Sequence, residues 1–134
     1  MALCCMTQAK AIEVSAHSAI LMDADTGQVL YEKNPTEESL IASTTKIMTA
    51  LVVLEQGNPE KTVTVPAEAV GIEGSSMYLK EGEELTVEQL LYGMMLSSGN
   101  DAAVALALSM DDSIEDFAAR MNEKARDLGL SHTS

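Results

Sequence analysis

The sequence predicts an α/β chain made of an N-terminal β-hairpin and a mostly helical body, and three observations carry that reading. Ser18-Ala-Ile-Leu-Met22 and Val29-Leu-Tyr31 are short apolar runs around the turn sequence Asp25-Thr26-Gly27. Thr86 with Gln89, and Ser113 with Asp116, each stand as a capping pair before an apolar stripe at helical spacing. Ile47, Met48, Leu51, Val52 and Leu54 cover most of a helix circumference, so that helix is expected to run through the core.

The elements follow in order. Asn34-Pro35-Thr36 ends the hairpin, and Leu40-Ile41-Ala42 delivers the chain to a helix that starts near Ser43 and stops at Gly57. Thr62 to Val65 alternates as a strand, and Pro66 to Val70 makes one helical turn. A loop with glycines at 71 and 74 follows. Met77-Tyr78-Leu79 reads as a short extended piece, and Lys80 to Glu83 as the turn after it. Val87, Leu90, Leu91, Met94 and Met95 form the stripe of the next helix, which ends at Ser98-Gly99. A new helix begins near Asn100-Asp101, and Ala102 to Met110 is small and apolar, suited to close packing. A final helix carries Ile114, Phe117, Ala118, Met121, Ala125 and Leu128 on one side and stops at Gly129. A hairpin alone is marginal, so further strands are expected to cover it.

Composition narrows the function. At 134 residues and 46% apolar content the chain can build one globular core. It has no apolar run of the ~20 residues that a membrane-spanning helix needs. A net charge of −13 without any basic cluster argues against nucleic acid. His17 and His132 lack ligand-like spacing, so neither a metal nor a cofactor is expected. Cys4 and Cys5 are adjacent and have no third cysteine to pair with. With Ala9-Lys10-Ala11 after them, residues 1–14 read as a signal-peptide remnant or a disordered start, and residues 15–134 as the folded part.

Two motifs carry chemistry. In Ser43-Thr44-Thr45-Lys46 the lysine lies one turn after the serine on a shared helix face, which makes a nucleophile and base pair. Such a lysine must lose its proton to work, which burial favours. Ser-x-x-Lys alone arises by chance in about one of every two chains of this length, and serine is also an ordinary N-cap. Ser98-Gly99-Asn100 falls in a bend between two apolar helices, where side chains can project into a cleft. A helix stop and restart, with Gly99 as C-cap and Asn100 as N-cap, accounts for the triplet equally well, and the two roles are compatible. Both motifs together arise by chance in about one chain per hundred.

The motifs sit in longer stretches: Asp25-Thr-Gly-Gln-Val-Leu-Tyr-Glu-Lys-Asn34, Ser43-Thr-Thr-Lys-Ile-Met-Thr49, Gly74-Ser-Ser-Met-Tyr-Leu79, Ser97-Ser-Gly-Asn-Asp-Ala102 and Leu128-Gly-Leu130. Through these the chain, from about Ser15 to Ser134, resembles the N-terminal part of a serine-type D-alanyl-D-alanine carboxypeptidase, a low-molecular-mass penicillin-binding protein. The resemblance implies a penicillin-binding-protein/β-lactamase-like transpeptidase fold, truncated, with the hairpin and helical subdomain present and the C-terminal sheet strands missing. It implies that Ser43 is acylated, that Lys46 is the general base and that Ser98 relays a proton to the leaving D-alanine. Asn100 would bind the substrate backbone and help to hold the lysine.

The implied substrate is a peptidoglycan stem peptide ending in D-Ala-D-Ala, the implied inhibitors are β-lactams, and the implied location is the bacterial envelope outside the cytoplasmic membrane. The family's third motif, Lys-Thr-Gly on an edge strand, does not occur in the sequence. Neither does the C-terminal amphipathic helix through which the family associates peripherally with membranes. The fragment alone is therefore expected to be inactive. A β-lactamase is one alternative, against which Gly99 speaks because those enzymes commonly carry aspartate there. A penicillin-sensing module that acylates without turnover is another.

Overall fold

A computed structural model describes residues 13–133 of the chain. The expected leader over residues 1–14, with Cys4 and Cys5, lies almost wholly outside the described residues. The chain divides between Ser39 and Leu40 into two compact units.

In the first unit, β1 (Ala19–Met22) pairs antiparallel with β2 (Val29–Lys33), with Ala19 opposite Lys33 and a bulge between Leu21 and Met22. The turn closes earlier than Asp25. The Asp23 N–H donates to the Gln28 carbonyl at 2.9 Å, and Asp23 Oδ1 accepts from Thr26 N at 2.8 Å and Thr26 Oγ1 at 2.6 Å. Those Thr26 donors hold the Asp23 carboxyl below its ordinary value. Lys33 Nζ donates to the carbonyls of Val14 and Ala16, which ties the incoming chain to the end of β2. Side chains alternate across a two-stranded sheet, and Ile20, Leu21, Met22, Val29 and Leu30 are all exposed.

The second unit holds α1 (Thr45–Gln56), β3 (Thr62–Thr64), β4 (Glu84–Thr86), α2 (Val87–Leu96), α3 (Asn100–Met110) and α4 (Ile114–Asp127). At its centre α3 packs against α1, α2, α4 and β3. Ala102, Ala105 and Ala107 of α3 are buried, and small side chains let the neighbours approach closely. Val52 and Val53 from α1, Leu90 and Met94 from α2, Leu106 from α3 and Phe117 from α4 fill the core. Burying each large side chain contributes about 1.5–3 kcal/mol.

Local chemistry fixes the joints. Thr86 and Gln89 form the expected capping box, with Gln89 N on Thr86 Oγ1 at 3.2 Å and Thr86 N on Gln89 Oε1 at 2.8 Å. Asp116 N donates to Ser113 Oγ at 3.0 Å and opens α4. Arg120 reaches Asp111 and Gln56, and Lys124 meets Glu55 at 2.6 Å, so α4 is bound to the end of α1 by polar groups.

Three expectations change. Ile47 and Leu54 are 61% and 58% exposed, so α1 has one open face and does not run through the core on all sides. Met77-Tyr78-Leu79 forms no strand, and Tyr78 takes φ 61°. The strand is instead β4, paired with β3 in the register Val63 opposite Leu85. Glu84-Leu85-Thr86 is too short and polar to show alternation; its partner strand and the capping Thr86 decide it.

Candidate active site

The chain enters α1 through a tight 3-10 turn, Ala42–Thr44, which carries Ser43 to the surface. Ala42 has φ 47°, a conformation costly for a residue with a Cβ. Thr44 Oγ1 donates to the Ile41 carbonyl at 2.6 Å and steadies the turn. One turn further on, Lys46 is only 9% exposed. Its stem lies in the body while its Nζ turns toward the serine.

The second motif arrives from the α2–α3 bend. Ser98 has φ 54° and Gly99 has φ −61°, so the left-handed residue is the serine and not the glycine. Ser97 closes α2, Gly99 caps α3 and Asn100 is its first residue, which corrects the capping positions expected from sequence. At position 99 a side chain would be crowded. A Cβ there would stand 3.0 Å from Asp101 Oδ1 and 3.1 Å from the Met77 side chain.

These two bends bring four side chains together. Ser98 Oγ donates to Ser43 Oγ at 2.8 Å. Lys46 Nζ lies 3.4 Å from Ser43 Oγ, 3.3 Å from Ser98 Oγ and 2.6 Å from Asn100 Oδ1. An amine that faces two hydroxyls can take a proton from either, directly or through the other. All four residues predicted from sequence therefore meet at one point.

Asn100 is itself held by a loop. Its Nδ2 donates to the Glu73 carbonyl at 2.8 Å and its backbone N–H to the Ser75 carbonyl at 2.7 Å. Gly74, at φ 96°, has no room for a side chain, because a Cβ would lie 2.7 Å from Asn100 Nδ2.

Sequence reasoning missed Asp101. Its carboxylate is 1% exposed and accepts from Ser76 Oγ at 2.6 Å, Met77 N at 3.0 Å, Leu79 N at 3.1 Å and Ala102 N at 2.9 Å. Burial pushes its pKa upward, but the four donors together outweigh burial and hold the carboxyl below its ordinary value. In sequence an acid in the first turn of a helix is ordinary, so nothing distinguished it.

A cleft of about 450 Å³ opens at this point, lined by Ala42, Ser43, Lys46, Thr49, Asn100 and Val104 among others. Its only lining cation among the described residues is Lys46. No group of three His, Cys, Asp or Glu side chains among the described residues could hold a metal ion.

Residues 5–134 match the family described as D-alanyl-D-alanine carboxypeptidase. The chain is 44% identical over 124 residues to D-alanyl-D-alanine carboxypeptidase DacF of Bacillus subtilis, covering 89% of this chain and 32% of that protein. It is 41% identical to DacC of Escherichia coli, covering 93% of this chain and 34% of the relative. The chain thus spans about a third of the length of the curated relatives it matches. Among solved structures it is similar to the carboxypeptidase DacD of Francisella tularensis, with a TM-score of 0.85 at 34% identity, over 91% of this chain and 31% of that one. Penicillin binding protein 5 of Haemophilus influenzae gives a TM-score of 0.85 at 32% identity, over 94% of this chain and 39% of that one.

Proposed function

Because the chain belongs to the D-alanyl-D-alanine carboxypeptidase family, we propose that it carries the nucleophile, base and proton relay of a serine-type carboxypeptidase. The substrate is a peptidoglycan stem peptide ending in D-Ala-D-Ala, handled outside the cytoplasmic membrane, and β-lactams acylate the same serine. The observation that carries this reading is the meeting of Ser43 and Lys46 with Ser98, more than fifty residues further along the chain, within 3.4 Å of one another.

In the proposed reaction Ser43 Oγ attacks the carbonyl of the penultimate D-alanine while its proton passes to the neutral Lys46 amine. The tetrahedral intermediate collapses with cleavage of the C–N bond, and the departing amine of D-alanine takes a proton delivered through Ser98. Water then attacks the Ser43 ester and gives its proton back through the same groups, which frees the shortened peptide and restores the serine. Asn100, held by Glu73, keeps Lys46 beside the two hydroxyls and offers its amide edge to the substrate backbone.

Gly99 favours a carboxypeptidase over a β-lactamase. An aspartate at that position would press its Cβ on Asp101 and Met77 and set two carboxylates side by side.

The test is to incubate a full-length protein containing this chain with a labelled penicillin and map the modified peptide. Label on Ser43, lost in Ser43→Ala, is the expected result. Label on any other serine overturns the assignment.

A further inference from the structure

The amide of asparagine is nearly symmetric in shape, so which end faces a neighbour is decided by hydrogen-bond partners. Asn100 presents Oδ1 to Lys46 Nζ because Nδ2 is taken by the Glu73 carbonyl. If that carbonyl moved away, the amide would lose the partner that selects its orientation, and a turned amide would offer its NH2 to the Lys46 lone pair that has to take the Ser43 proton. The orientation of Asn100 thus depends on where the 73–79 loop stands.

That loop is not in a resting conformation. Gly74 and Tyr78 both lie at positive φ, 96° and 61°, and for tyrosine this is strained. What holds it is a buried carboxylate. Three of the four donors on Asp101 come from the loop, namely Ser76 Oγ, Met77 N and Leu79 N; the fourth, Ala102 N, belongs to α3. Ser76 Oγ also accepts from Tyr78 N at 2.8 Å and so braces the strained residue. Both oxygens of Asp101 are used, each with two donors, a pattern only an ionised carboxylate can satisfy.

We propose that Asp101 is a positioning residue for the Ser43 centre, acting with Ser76 to lock the 73–79 loop against the start of α3, so that Asn100 holds Lys46 in place. Asp101 touches neither Ser43 nor Lys46, and its effect passes entirely through Asn100. An Asp101→Asn amide would turn its NH2 toward the Leu79 N–H on the Oδ2 side, losing that bond and repelling the loop, while the Ser76 hydroxyl would have to turn from donor to acceptor.

This rests on the function proposed above, and a double-mutant cycle separates the two. The second-order rate of acylation by a labelled penicillin is measured on the full-length protein per titratable Ser43 site, so that unfolded molecules do not count. Asp101→Asn should lower it about thirtyfold and Ser76→Ala about fivefold, within the range of coupling seen for contacting networks. In an Asn100→Ala background the same changes should cost less than about twofold, because the group they position is gone. Should Asp101→Asn fail to fold, Ser76→Ala, which deletes a single hydroxyl, carries the cycle. Full losses that persist in the Asn100→Ala background, or no loss in the wild-type background, overturn the positioning role while leaving the function standing. A parent protein that is not labelled on Ser43 overturns both.

Discussion

Ser98 Oγ donates to Ser43 Oγ at 2.8 Å across 55 residues of sequence, from a backbone held at φ 54°. A left-handed serine is the means by which the bend after α2 aims a hydroxyl back at α1. The same two hydroxyls face Lys46, so a proton has two routes away from Ser43.

Ser98→Ala removes one route and leaves the direct contact of Lys46 with Ser43. Acylation by a labelled penicillin should fall by about tenfold, less than the 100- to 10,000-fold typical of losing a general base. A loss as large as that of Lys46→Ala would show that the direct route carries no proton.

Lys46→Ala should abolish acylation while far-UV circular dichroism and cooperative melting persist. The change leaves Asn100 Oδ1 without its donor, which costs about 1–3 kcal/mol. Acylation lost together with the cooperative transition would make Lys46 structural.

Asn100→Ala should slow acylation more than Gly99→Ala does. The first removes the only side-chain amide on Lys46; the second forces Asp101 and Met77 to yield by a few tenths of an ångström. Equal small effects in per-site kinetics would reduce the triplet to a helix joint.

Acid should act through Asp101. Its carboxyl is held below the ordinary value of 3.8, so it contributes stability that is complete above that value and is lost as pH falls through the lower folded value. The gap in urea midpoint between the wild type and Asp101→Asn should therefore be wide at about pH 6 and shrink progressively as pH falls below 3.8. A gap constant with pH would mean that the charge of Asp101 does no work in the fold.

A polypeptide of these 134 residues, expressed alone, should release no D-alanine from a D-Ala-D-Ala peptide. The cleft's one described cation, Lys46, is the proposed base, which leaves none for the peptide carboxylate. The exposed Ile20, Leu21, Met22, Val29 and Leu30 should also make it prone to associate. A soluble fragment that turned over at the rate of a complete relative would refute the expectation.

What sequence could read was local. The capping pairs at Thr86 and Ser113 and the stop at Gly129 depend on a few neighbouring residues, and all three stand where expected. Ser43 and Lys46 were legible for the same reason, being one helical turn apart. The 73–79 loop was not, because its shape comes from Asp101, more than twenty residues away, and leaves no periodicity in Met77-Tyr78-Leu79. The exposed face of α1 was misread because Ile47 and Leu54 are apolar whether or not anything covers them. Gly99 was read as a turn glycine, but its φ is ordinary and only the neighbours explain it.

The crowding around Gly99 also bears on descent. A glycine there packs under Met77, and the loop that brings Met77 in is the one that fastens Asn100. β-Lactamases carry Ser-Asp-Asn where this chain has Ser-Gly-Asn. Replacing Gly99 by aspartate would ask Met77 and the Asp101 carboxylate to give by a few tenths of an ångström, next to the loop that holds Asn100. Exchange at position 99 is therefore coupled to the 73–79 loop: the more easily Met77 gives way, the more readily a larger residue is accepted there.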